Sequence, residues 1–85
     1  MIPTRFDVEI PVKPKGGIDG AIMSLKGSLP FIPTIGMHLV AIDGDDYRKV
    51  EDVYWSEKEG LAVMFEFDEH AQISQLKKLG WREVK

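Results

Sequence analysis

The stretch YRKVEDVYWSEKEGLAVMFEF, residues 47–67, decides the fold. In its second half Leu61, Val63, Phe65 and Phe67 alternate with Ala62, Met64 and Glu66. A period of two marks a strand with one buried face. In the first half Val50, Val53 and Trp55 fall out of step between positions 50 and 53. A β-bulge near Glu51 and Asp52 returns all three to one face and bends the strand sharply. Between the halves, residues 56–60 read as a loop, with Gly60 placed for positive φ. The segment predicts a bulged, bent hairpin.

Downstream of the hairpin, Asp68 and Glu69 suit the first turn of a helix, where backbone N–H groups and the helix dipole favour carboxylates. Ile73, Leu76 and Leu79 then recur on one helical side, Lys77 and Lys78 fall in the last turn, and Gly80 with Trp81 fits a glycine-terminated C-cap. These signals predict a helix over 69–79, followed by a short strand near 81–84. Upstream, Met37–Ile42 reads as a strand closed by the turn dipeptide Asp43-Gly44. Pro30 and Pro33 impose an extended, stiff path on residues 29–36. Residues 21–26 are too few to separate strand from helix. Phe6, Val8, Ile10 and Val12 alternate as a strand, and Pro11, which cannot donate to a ladder, places that strand at an edge or ends it near there. The expected architecture is α+β but mostly β: one domain over residues 1–85, a strongly bent antiparallel sheet or partly open barrel, and one C-terminal helix near 69–79. In shape this resembles Src-homology-3-like barrels.

Composition limits the function. The 85 residues hold 44% hydrophobic and 29% charged side chains and no cysteine, which excludes disulfides and thiolate metal sites. A chain this short buries roughly 60–65% of its unfolded surface, so self-association is an open route to stability. No uncharged stretch is long enough to span a membrane. The chain begins without a charged region followed by an apolar run, so no signal peptide is read and a cytoplasmic location is expected. The net charge of −3 argues against nucleic acid as a partner. Charge is also segregated: residues 43–69 carry ten acidic side chains against Arg48, Lys49 and Lys58, while basic residues outnumber acidic ones elsewhere.

Candidate chemistry is thin. Asp43, Asp45 and Asp46 fail the calcium-loop pattern, because the sixth and twelfth places are Arg48 and Tyr54 rather than glycine and glutamate. His38 and His70 belong to no metal-ligand spacing. Gly16-Gly17 with Lys13 and Lys15 lacks the ending of a phosphate loop. No serine lies in a nucleophile elbow. No cofactor and no catalytic residue is expected. The sequence therefore predicts a non-catalytic binding or assembly module, a homodimer or higher oligomer. Its self-association contact is expected at Phe31, Ile32, Val40, Ile42 and Met64, on the second face of the sheet. A different reading is a small acidic inhibitor or adaptor that sets Asp43, Asp45, Asp46, Glu57 and Glu59 against a basic partner protein. A third is small-molecule binding or catalysis at a subunit interface.

Overall fold

The computed structural model describes residues 1–12, 19–40 and 47–84. Among these described residues six strands and one helix follow in order: β1 (Ile2–Val12), β2 (Asp19–Leu29), β3 (His38–Val40), β4 (Tyr47–Ser56), β5 (Gly60–Phe65), α1 (Ile73–Lys78) and β6 (Arg82–Val84). The strands form one mixed sheet in the order β3-β4-β5-β1-β2-β6.

The hairpin forms as its alternation dictates. The register shifts between Val50 and Asp52, so that Val50, Val53 and Trp55 oppose Phe65, Val63 and Leu61 on one face. Gly60 takes a φ of 79°, and the Ser56 hydroxyl accepts the Glu59 N–H at 2.9 Å within the turn. Residues 21–26 lie in β2, which pairs with β1 along all 11 residues of each strand.

Three expectations are corrected. The sheet is mixed rather than antiparallel, because β1 runs parallel to β5 from Thr4 to Val8. It is open rather than a barrel, since three-residue strands end it on both sides. And β1 is central, not an edge, although it does end just past Pro11, at Val12: the proline is accommodated because the β5 ladder stops at Val8, so its missing N–H removes no bond on that side.

The helix is shorter than 69–79. Asp68 does not cap it. Asp68 instead pairs with Arg48 and accepts the His70 N–H at 3.1 Å, and the helix begins after Gln72 without a side-chain cap. Its end follows the sequence closely. Trp81 N–H donates to the Leu76 carbonyl at 3.0 Å and Gly80 N–H to Lys77 at 3.2 Å, with Gly80 at φ 101°. This is a Schellman cap, and its hydrophobic partners Leu76 and Trp81 are both buried.

The core lies on the face of Phe6, Val8, Ile10, Met23, Val50, Val63 and Phe65, closed by Leu76 and Trp81. Phe6 stacks on Phe65 with ring centroids 5.8 Å apart. The Phe6 ring lies directly over Gly27, where an added Cβ would come within 2.9 Å of it. Met37 packs on the same core, while Gly36 N–H and the Met37 carbonyl bond the two backbone groups of Val50 at 2.8 Å each. The Pro-rich crossing is thus tied to β4, and its Phe31, Ile32 and Ile35 side chains point to solvent. Among the described residues, no helix is long and apolar enough to cross a membrane.

Candidate contact surfaces

On the second face of the sheet charged and polar side chains stand among the apolar ones. Register sets Arg5 beside Ala62 and Lys26, and Asp7 beside Met64 and Ser24. The β-pleat therefore surrounds the two apolar residues of β5 with charge. Arg5 Nε donates to Asp7 Oδ2 at 3.0 Å, while Asp7 Oδ1 is buried without a hydrogen-bond partner. Of the expected self-association residues, Val40 stands exposed on the edge strand β3, opposite Tyr47. Met64 is half-buried two strands further in, with Asp52 opposite it. Phe31 and Ile32 lie exposed on the crossing. The sheet order separates Val40 from Met64, and no described contact joins them to Phe31 and Ile32. Ile42, Asp43, Asp45 and Asp46 lie outside the described residues, as does the Gly16-Gly17 stretch. Glu57 and Glu59 stand exposed in the β4–β5 turn, where Arg5 reaches Glu59 at 3.5 Å.

Folding creates three features that linear spacing does not show. The first is a cleft of about 410 Å³ beside β3, which brings His38 and His70 to one site with Tyr47 and Phe67. The His38 ring meets Tyr47 edge-on, with centroids 5.2 Å apart. Charges in this cleft are matched locally: Arg48 with Asp68 at 2.9 Å and Lys49 with Glu66 at 3.6 Å. Arg48 also lies over the Trp81 ring, 5.5 Å from its centroid, so this guanidinium locks the C-terminal segment to β4. The described residues lining the cleft include no serine, threonine or cysteine. Among the described residues, no three His, Cys, Asp or Glu side chains are placed to hold a metal ion.

The second feature is the end of β4. Trp55 is 70% exposed and Tyr54 53%, both next to the acidic β4–β5 turn. Trp55 shares the core face with Val53, but it lies at the strand end, beyond the packed layer. Tyr54 Oη donates to Asp52 Oδ2 at 2.9 Å, and the other Asp52 oxygen accepts the Val53 N–H at 2.9 Å. The hydrogen bond and the neighbouring carboxylate of Asp52 hold the Tyr54 phenol above its usual pKa of 10.0. This also blunts the strand edge. The bulge twists β4, and the Asp52 carboxylate occupies an N–H that another strand would otherwise use.

The third feature is a shallow, open hollow at the β2–β6 edge of the sheet, bordered by Leu25, Lys26, Gly80, Arg82 and Val84 among others. Gly80 lies beside Leu25, whose Cδ1 is 3.5 Å, an ordinary contact distance, from the position a Cβ would take. Compared with known proteins, the chain matches no family model, no curated protein and no solved structure.

Proposed function

We propose that the chain is a non-catalytic binding and assembly module that associates with copies of itself. The observation that carries this reading is Trp55, a large aromatic side chain held out at 70% exposure on an ordered strand rather than a loose end. Tryptophan and tyrosine are the usual anchors of protein contacts.

Solution mass by light scattering, at two protein and two salt concentrations, tests the reading. A mass of two or more chains is expected. A monomer at every concentration overturns it. A second reading is favoured by the carboxylates around Trp55: a compact acidic adaptor that docks on a basic partner protein. Its mark is binding that weakens steeply with salt, and equal binding in high and low salt counts against it.

A further inference from the structure

We propose that two copies of the chain join edge to edge through β2, around a two-fold axis at Gly27, into one continuous sheet. This rests on the reading of the chain as a self-associating module and gives that association a backbone contact. β2 spans Asp19–Leu29, yet β6 pairs with it only over Ile22, Met23 and Ser24. Beyond Ser24 the C-terminal segment leaves the ladder. The Trp81 N–H goes to the Leu76 carbonyl and the Gly80 N–H to that of Lys77. Space remains beside Lys26, in the hollow it borders with Gly80 and Arg82. Among the described residues no strand pairs with residues 25–29 on that side.

The ladders decide which backbone groups face this gap. The Glu9 carbonyl accepts the N–H of Asp68, just past the end of β5, at 3.0 Å. By alternation the odd residues of β1 turn toward β5, and the even ones bond β2. Their partners on β2 are odd: Thr4 opposes Gly27 and Phe6 opposes Leu25. Lys26 and Ser28 therefore direct N–H and C=O outward, as Ile22 and Ser24 direct theirs to β6.

An axis at Gly27 sets Lys26 of each copy opposite Ser28 of the other. Both are outward residues, so each pair exchanges both of its bonds and every outward group of the free stretch is satisfied. Neighbouring registers do worse. An axis at Lys26 brings that ammonium against its own copy and aims Ser28 at Ser24, which β6 already holds. An axis at Ser28 sets Lys26 opposite Pro30, which has no N–H to donate. Gly27 itself falls in the close, non-hydrogen-bonded pair, where Cα atoms approach to about 4.5 Å. It has no side chain to obstruct that approach, and Phe6 fills the space a Cβ would need. The free part of β4 offers no such edge, because the bulge and the Asp52 carboxylate interrupt it. Trp55, on β4, lies away from the β2 edge and is left for a further contact.

The test uses the full chain. Ser28→Pro deletes an outward N–H and sets a ring on the edge. That N–H serves no bond within the chain, so circular dichroism should show the wild-type fold. Light scattering should then give a monomer where the wild type is a pair, with self-association weakened at least about tenfold. Amide hydrogen exchange on the wild type needs no variant, and it decides the matter if Ser28→Pro fails to fold. The Lys26 and Ser28 N–H groups should exchange at least about tenfold more slowly at a concentration that favours the pair than at one that favours the monomer. Trp55→Ser should still pair. A folded Ser28→Pro protein with the wild-type mass overturns the edge contact while leaving self-association standing. Equal exchange of both amides at the two concentrations does the same, as does a monomeric Trp55→Ser protein. A wild-type chain that is monomeric throughout overturns both readings.

Discussion

Replacing Gly27 with alanine should destabilise the protein, although alanine is normally the better residue in a strand. With no steric conflict, Gly→Ala stabilises by about 0.4–1 kcal/mol, because the unfolded chain loses freedom. At Gly27 the new methyl group comes within 2.9 Å of Phe6 Cε2 and 3.6 Å of Cδ2. The obstacle is the edge of a buried aromatic ring, not the end of a flexible chain. That ring cannot slide away, since its other contacts include the stacked Phe65. Overpacking of this kind costs about 1–3 kcal/mol, so the net loss is about 1–2 kcal/mol. With a urea m-value of about 1 kcal/mol per molar for a small domain, the midpoint should fall by about 1–2 M at unchanged slope. Phe6→Leu removes the obstructing ring edge, so the double variant should lose less than the sum of the two single losses. A Gly27→Ala protein as stable as wild type, or more so, refutes the claim that Phe6 occupies the space over this glycine.

Gly80→Ala should lower stability by about 1 kcal/mol in the same urea assay, because φ of 101° is strained for any residue with a Cβ. Arg48→Met, which keeps an apolar stem over Trp81 but strands Asp68, should cost about 1–3 kcal/mol. Arg48→Lys should recover only part of that, since a lysine lacks the planar fork that serves both partners; full recovery would show that charge alone matters. In a spectrophotometric titration, Tyr54 should ionise above pH 10.0, and Asp52→Asn should bring it down toward that ordinary value by removing the carboxylate that stabilises the phenol. An unchanged titration would refute the Asp52–Tyr54 contact.

Sequence patterns revealed the fold wherever local chemistry was sufficient. The bulge at Glu51–Asp52 was legible because Val50, Val53 and Trp55 can share a face only with an extra residue between them. The C-terminal end of α1 was legible because Gly80 and Trp81 supply both the positive φ and the hydrophobic contact of a Schellman cap. The start of the helix was not legible, because Asp68 had a stronger long-range partner in Arg48, 20 residues away. The parallel β1–β5 pairing could not be read either, since alternation in Phe6–Val12 is the same for parallel and antiparallel neighbours. For the contact surfaces, exposed aromatics were visible as candidates, but the polarity of the second face was hidden. Met64 and Ala62 read as an apolar stripe until register set Asp7 and Arg5 beside them.

The same residues that fix the edge of the sheet also shape what can bind there. An unpaired strand end invites indiscriminate sheet extension, and β4 resists it with a bulge, a carboxylate on its own N–H, and a surrounding acidic turn. Those devices leave the backbone unattractive but leave Trp55 fully presented. Recognition at this end then depends on side-chain shape and charge, which discriminate between partners far better than a row of backbone groups.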